Sequence, residues 1–504
     1  MWISHIGRRN AIRWPDAYAV VDAHQRLTHR ELDERATRLA GALARDGIGR
    51  GERVALLSSN RVEVLETQVA LSRLGATVVA LNPTLTSDEL AHALALAEAG
   101  AAVGERAPLS AASDAARLSV VLAFEDDRYC RAVRGCDGYE GRWDGDPDSL
   151  AAVLFSSATT GRAKAIALAQ HALRASTLHW LAGGSSAPGT VLLLGTPLHH
   201  STLTVAIGHL AAGGTLVLAG QLTPQRCLEL IEAERVTHAY MVPSLIRFCL
   251  EARALQRTDV SSLRELIHGA APMPDELRAQ AADAFGATLR DCYGQAEAGG
   301  PITLGDGRAR GSVGEPLPGV EVRVVDGTEA VCPPDQLGDI QVRAASRMAG
   351  YLGDDEASRA ALAPMGWLRT GDLGHLDGGG RVHLSDRRVD LIIHGGQNVY
   401  PAEIERVLNA EPAVRECAVV AMDDEHWGQV PVAFVVLADH PGADDVVDRL
   451  RARARHRLAA FKRPATFRVL DELPRNQAGK VLKRELRIDA TAPHEEGRAA
   501  CNRL

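Results

Sequence analysis

A chain of 504 residues, 46% hydrophobic and 24% charged, has length for more than one core and is too apolar to stay disordered. A net charge of −8 argues against general nucleic-acid binding, and eight cysteines without a Cys-x-x-Cys pair indicate neither a zinc site nor a disulfide framework. The N-terminus carries no apolar segment of signal-peptide length and no run approaches the ~20 apolar residues of a membrane span, so a cytoplasmic protein is expected.

Helical and strand patterns alternate from the start. Thr28-His29-Arg30-Glu31 has the capping-box form ahead of the apolar stripe Leu32, Ala36, Leu39 and Leu43. A strand is predicted at Val54–Leu57, a helix from about Val62 that Gly75 can end, and a strand at Thr77–Leu81; Thr86–Glu89 repeats the capping box. Further strands are read at 151–155, 191–194, 215–218, 237–242 and 263–267. This is the rhythm of βαβ units, which implies doubly wound, mostly parallel sheets with ligands beyond the C-terminal strand ends. After about residue 305 short strands and Gly/Pro turns suggest a β subdomain. The last ~115 residues mix strands at 416–422 and 432–437 with helices from about Pro401 and Asp444, a compact α+β unit. Arg449, Arg451, Arg453, Arg455 and Arg457 read as a solvated helix face, with contact to a polyanion as the lesser alternative, and Trp367 and Trp427 as packing anchors.

Only four of the 56 basic residues are lysine: Lys164, Lys462, Lys480 and Lys483. Lysine is a compact point charge where arginine is a planar fork, so its retention marks positions that need a single ammonium, unless base composition alone removed the others. Lys164 closes a loop, Ser156-Ser157-Ala158-Thr159-Thr160-Gly161-Arg162-Ala163-Lys164, that follows an apolar strand and offers hydroxyls, backbone N–H groups and an ammonium, the donors a polyphosphate requires. It lacks Walker A spacing. Lys480 ends Leu473-Pro474-Arg475-Asn476-Gln477-Ala478-Gly479-Lys480; surface roles are expected for Lys462 and Lys483.

Further segments follow in fixed order: Pro197-Leu198-His199-His200, Gly269-Ala270-Ala271-Pro272, Tyr293-Gly294-Gln295-Ala296-Glu297, Gly366-Trp367-Leu368-Arg369-Thr370-Gly371-Asp372, Asp386-Arg387-Arg388, and Gly395-Gly396 through Glu405. With these the chain resembles the acyl-CoA synthetase / AMP-binding (adenylate-forming) superfamily over nearly its whole length. The resemblance implies a large domain over 1–386, a small mobile C-terminal domain over 387–504, and a hinge near 386–390. It also implies a two-step reaction, in which a carboxylate attacks MgATP to give an acyl adenylate and a thiol then displaces AMP. Ser156, Ser157, Thr159, Thr160, Gly161 and Lys164 would cradle phosphates. Gly269, Ala270, Ala271, Pro272, Tyr293, Gly294 and Gln295 would hold the adenine side. Asp372 would accept the ribose hydroxyls and Arg387 would hold ribose and phosphate. Glu297 would hold Mg²⁺, and Lys480 would stabilise charge at the reacting carboxylate and phosphate. His199, His200, Cys292 and Gly269 would line the acid pocket, with His200 as its gate, and Val389, Gly395 and Gly396 belong to the hinge and the thiol step.

The chain departs from the family pattern at Ala158, Ala163 and Ala165, where Gly, Pro and Gly are usual, at Ala296 for Thr, and at Val389 for Asp or Lys. A Cβ at a left-handed position costs about 1–2 kcal/mol, and a lost hydroxyl bond to a charged phosphate roughly 1.5–3 kcal/mol. Slower use of ATP, by two to three orders of magnitude if nothing compensates, is the expectation. Cys292, at a position often Gly, would shorten the pocket and favour a small or aromatic acid. The leading expectation is therefore an ATP-, Mg²⁺- and CoA-dependent acid:CoA ligase. The alternatives are an adenylate-forming enzyme with another acceptor (a carrier-protein thiol, an amine, or nitrite in diazo chemistry) and a catalytically weakened nucleotide-binding homologue.

Overall fold

The structure is a computed structural model that describes residues 3–135, 138–139, 141, 145–156, 163–220, 222–271, 273–307, 311–387, 390–394, 397–424, 426–438, 443–476 and 479–491. It divides into two compact units, one ending at Leu384 and the other beginning at Ser385, with Gly371–Leu373 grouped with the second. No described helix is long and apolar enough to cross a membrane.

The first unit is built on two large sheets. Among the described residues one orders nine strands as 315–316, 300–304, 288–295, 265–269, 238–241, 191–194, 215–218, 18–21 and 26–28. The six from 288–295 to 18–21 run parallel, and antiparallel strands close both edges. The other orders seven, 350–351, 165–169, 150–155, 77–81, 53–57, 101–104 and 120–123, of which the last five are parallel. Alternate residues of one strand enter different cores, because successive side chains point to opposite faces. Val54, Leu56 and Val78 pack in one cluster while Ala55, Leu57 and Val79 pack in another with Leu90 and Leu94 of the helix Ser87–Ala97. The nine-stranded sheet divides the same way, Leu192, Leu194 and Leu216 joining the first cluster and Leu193 and Val217 a third. The first cluster is thus common to both sheets, and helices lie between them as well as outside.

The sandwiched helices show it in their burial. All thirteen residues of Val62–Leu74 and all ten of Thr202–Ala211 are buried, so their polar side chains require partners. Glu66, with no exposed surface, meets Arg35 at 2.7 Å and accepts from the Tyr129 hydroxyl at 2.9 Å; Arg73 pairs with Asp33. Both capping boxes read from the sequence form, at Thr28/Glu31 and Thr86/Glu89, and Gly75 ends its helix in the left-handed conformation that glycine adopts without a Cβ penalty. A smaller sheet of strands 320–325, 338–344, 368–376 and 382–387 follows, the β subdomain expected after residue 305.

The second unit has a sheet of strands 397–399, 392–394, 428–437 and 414–424, with 466–470 parallel to 428–437. Ile404 and Leu408 of the helix Pro401–Asn409, with Val446, Leu450 and Ala454 of Ala443–Arg457, cover one face; Leu473, Leu486 and Ala490 cover the other. The architecture is the one expected: a large α/β domain with mostly parallel sheets and a β subdomain, and a smaller α+β domain.

Candidate active site

The residues named from the sequence in the first unit collect where parallel strands end. His199 and His200 follow the strand Val191–Leu194, Ala270 and Ala271 follow Glu265–Gly269, and Cys292, Tyr293, Gly294 and Gln295 lie on Thr288–Gln295, all in the nine-stranded sheet. Ser156 follows Leu150–Phe155 of the seven-stranded sheet. One buried side chain ties the two edges together. Asn60, beyond the strand Arg53–Leu57, donates from Nδ2 to the Thr196 carbonyl at 2.9 Å and accepts from the Leu198 N–H at 2.8 Å.

The neck of the Ser/Thr loop is closed by reciprocal bonds: Ser156 N–H to the Lys164 carbonyl at 3.0 Å and Lys164 N–H to Ser156 Oγ at 2.9 Å. Lys164 Nζ stands 4.8 Å from the centroid of the Tyr351 ring, and the Tyr351 hydroxyl donates to Glu297 Oε1 at 3.1 Å. The Glu297 carbonyl in turn accepts from Met348 N–H at 2.7 Å. Ser157, Thr159, Thr160, Gly161, Pro272, Val389, Gly395 and Gly396 lie outside the described residues.

On the adenine side the backbones are close. A Cβ on Gly269 would stand 2.4 Å from the Cys292 carbonyl oxygen and one on Gly294 2.4 Å from that of Gly300, so both positions exclude any side chain. Ala270 holds φ +67°, a left-handed conformation that costs a non-glycine residue about 1–2 kcal/mol; such strain gathers at functional sites. The Gln295 amide nitrogen is buried without a partner among the described residues, a donor at the end of the strand Thr288–Gln295. Tyr293 and Cys292 are buried, and the Tyr240 hydroxyl lies 3.7 Å from Cys292 Sγ. Burial pushes the Cys292 thiol up to about 12.

The two histidines lie with ring centroids 4.4 Å apart. His199 is 8% exposed and neither ring nitrogen has a partner among the described residues, whereas buried His209 uses both, with Ser186 Oγ and the Thr215 carbonyl. Burial lowers His199 to about 3, helped by its neighbour, and His200 to about 4, so both are neutral near pH 7.

In the remaining segments, Asp372 is buried on the strand Leu368–Leu376, just after Gly371 at φ +75°. Arg387 ends the strand Val382–Arg387. Lys480 lies on a turn in the second unit, where its N–H bonds Asn476 Oδ1 at 2.9 Å and Gly479 holds φ +75°. Lys462 and Lys483 pair with Glu403 at 2.7 Å and Glu405 at 2.8 Å, tying both to the helix Pro401–Asn409. Trp367 is buried between the guanidinium groups of Arg323 and Arg343, at 4.3 and 4.8 Å. Trp427 is not the anchor the sequence suggested: it is 53% exposed and stacks on His394 at 5.0 Å. Two site residues escaped the sequence reading, Tyr351 and Asn60; an aromatic after Gly350 and a polar Ser-Ser-Asn after an apolar strand were their only signals.

The AMP-binding enzyme family model matches residues 7–352, and the model of the AMP-binding enzyme C-terminal domain matches 403–480. The chain belongs to the AMP-binding, adenylate-forming enzyme family. A feruloyl-CoA synthase of Amycolatopsis is 36% identical to it over 497 residues, which cover 95% of this chain and 97% of the relative. The amide bond synthetase McbA of Marinactinospora thermotolerans has a similar solved structure, with a TM-score of 0.88, 33% identity, and 97% of this chain and 100% of that one covered. ATP-bound MatB of Rhodopseudomonas palustris is similar at TM-score 0.89 and 29% identity, covering 97% and 99%. The acceptors named for such relatives differ, CoA in one and an amide-forming partner in another, while family membership assigns this chain adenylate-forming chemistry in general.

Proposed function

We propose that the chain activates a small or aromatic carboxylic acid with ATP and Mg²⁺ and passes the acyl group to CoA. The observation that carries this reading is the grouping of Lys164, whose ammonium has no ion pair among the described residues, with Glu297 beside the neck of the Ser/Thr loop. In the first step a carboxylate oxygen of the acid bonds to the α-phosphorus of ATP, the bond from that phosphorus to the bridging oxygen breaks, and pyrophosphate leaves. In the second the CoA thiolate bonds to the acyl carbon and AMP leaves.

The residues suit these demands. Ser156 and Lys164, with the loop between them, supply hydroxyls, N–H groups and one ammonium for phosphate oxygens. No cluster of three His, Cys, Asp or Glu side chains forms a protein-only metal site among the described residues. One carboxylate, Glu297, with substrate phosphates and water is a donor set that suits Mg²⁺, which would neutralise charge on those phosphates. Tyr293, Gly294, Gln295, Gly269, Ala270 and Ala271 form the adenine side, where the unpartnered Gln295 amide offers a donor. Asp372 accepts the ribose hydroxyls and Arg387 holds ribose and phosphate. Lys480 stabilises the charge that develops at the reacting oxygens, and Gly395 and Gly396 serve the thiol step after rotation about Val389. His199, His200 and Cys292 bound the acid. Two neutral imidazoles and a protonated thiol make this end uncharged, which favours an acid with a single carboxylate.

The likeness to an amide bond synthetase favours a second reading, in which an amine takes the acyl group from the same adenylate. AMP release with MgATP and a panel of acids from short aliphatic to aromatic, with CoA, an amine or hydroxylamine as acceptor, separates the two. Acid-dependent AMP that falls at least a hundredfold in Lys480→Ala is the expected result. CoA-independent amide formation would favour the second reading, and no acid-dependent AMP from any carboxylate would refute both.

A further inference from the structure

The phosphate lysine and the metal carboxylate proposed above share one neighbour. Tyr351 presents its ring face to Lys164 Nζ at 4.8 Å and its hydroxyl to Glu297 Oε1 at 3.1 Å. Among the described residues neither Lys164 nor Glu297 enters an ion pair, with each other or with any other side chain; their described side-chain partner is Tyr351. Opposite charges on adjacent, half-buried loops would pair directly if nothing stood in the way, and each would then be lost to substrate.

The backbone holds Tyr351 in that position from two sides. Gly350 and Tyr351 pair antiparallel with Ala167 and Ile166, three and two residues beyond Lys164, and Leu352 N–H bonds the Ala165 carbonyl at 2.8 Å. On the other side Met348 N–H bonds the Glu297 carbonyl at 2.7 Å, and Ser346 Oγ bonds that of Ala298 at 2.7 Å. Ser358 Oγ accepts from Tyr351 N–H at 2.8 Å and clamps the same residue to the helix Asp355–Ala361. The segment 346–352 is thus strapped both to the turn carrying Glu297 and to the strand leaving the loop neck, and the phenol spans the gap.

We propose that Tyr351 is a positioning residue that keeps Lys164 and Glu297 from neutralising each other, leaving both available to a complex of nucleoside triphosphate and divalent cation. It does so by giving each a neutral partner. The ring quadrupole attracts an ammonium, and the hydroxyl donates to a carboxylate; both contacts are weaker than an ion pair and are readily exchanged for phosphate oxygen and metal. The inference rests on the assignment of Lys164 and Glu297 under the proposed function.

Calorimetric titration of the full chain with MgATP, without acid or CoA, tests it. Tyr351→Leu removes both partners and is expected to weaken MgATP binding roughly tenfold. Tyr351→Phe keeps the ring and is expected to lose no more than about threefold. In a Lys164→Ala background, where no ammonium is left to pair with Glu297, Tyr351→Leu is expected to add less than twofold. A merely structural role for the ring would give the same loss in both backgrounds, and that result overturns the proposal, as does unaltered binding in Tyr351→Leu with Lys164 present. If Tyr351→Leu does not fold, Tyr351→Phe takes its place: a loss confined to the protein that keeps Lys164 supports the proposal, and an equal loss in the Lys164→Ala background, or no loss in either, overturns it. Wild-type protein that binds no MgATP would instead remove the assignment of the site itself.

Discussion

Lowering the pH from 7 to 5 should unfold the first unit, and the reason lies in its buried histidines. His199, His209 and His268 are lowered to about 3, and His29 and His200 to about 4, in every case chiefly by burial. A depressed histidine stays neutral in the fold while the same residue in the unfolded chain takes up a proton below its ordinary value near 6.5. Stability from these five residues is therefore fully present above pH 6.5 and is lost as the pH falls towards 3–4. Each costs about 1.4 kcal/mol per pH unit across that window, or about 2 kcal/mol by pH 5, and the five together about 10 kcal/mol. Glu66 opposes them. Burial raises it to about 7, so the fold takes up its proton before the unfolded chain does, and between pH 7 and 5 it returns about 2–3 kcal/mol. Asp33 and Asp291, also raised by burial, act in the same sense.

The net loss of about 7 kcal/mol rivals the 5–15 kcal/mol by which a domain is stable, so acid unfolding should centre near pH 5. Urea titrations at half-unit steps from pH 8 to 5, followed by near-ultraviolet circular dichroism, should show a midpoint constant above about pH 7 and falling steeply below 6.5. His209→Gln should flatten the falling limb by about one proton, since it removes one group that titrates only in the unfolded chain. A midpoint unchanged between pH 7 and 5 would refute the reasoning, because it requires the histidines to take up protons in the fold as readily as in the unfolded chain.

Three other outcomes are expected. His199→Phe removes two buried nitrogens that have no partner among the described residues, and the similar shape of the ring should leave packing intact, so the urea midpoint should rise by the equivalent of about 1–3 kcal/mol; a fall would reveal a partner for the imidazole. Thiol titration of the native protein at pH 8 should modify the half-buried Cys130 and Cys332 before Cys227, Cys249, Cys292 and Cys417, which are buried, and Cys292 should react only on unfolding. Ala296→Thr restores a hydroxyl beside Glu297 and should tighten apparent ATP affinity about tenfold or more, read from initial rates at limiting ATP; no change would mean that another donor already serves.

Much of the fold was written locally. Thr77–Leu81 is a continuous apolar run because both faces of a parallel sheet are covered, and both capping boxes name their own helix starts. The strands Ala101–Gly104 and Ala165–Ala169 escaped because alanine favours helices, and only pairing with neighbours makes them strands. The candidate site divides the same way. Loops with unusual composition, such as Ser156–Lys164, declare themselves, but Tyr351 reaches Glu297 across 54 residues and Asn60 reaches Thr196 across 136, and no local pattern encodes such contacts. Trp427 misled for a related reason. A large apolar ring reads as core, whereas its surroundings in the fold are a histidine and solvent.

The alanines that replace family residues do not carry equal weight. Ala165 lies in a regular strand opposite Phe155, is fully buried and gives its carbonyl to Leu352, so nothing there calls for glycine and its methyl carries no penalty. Ala296 is different. It opens the short turn Ala296–Ala298, and its methyl packs on the large core where a hydroxyl could have faced phosphate. Yet the residue before it, Gln295, carries a buried amide nitrogen with no partner among the described residues, a cost of about 1–3 kcal/mol if it stays unpaired. A lost donor and an idle donor on adjacent residues mean that the donor set beside Glu297 has changed in kind. The amide is the stronger candidate for the work the hydroxyl would have done, because a substrate oxygen that reached it would relieve a cost the fold already bears. On that argument the slowing expected from Ala296 alone is an upper bound.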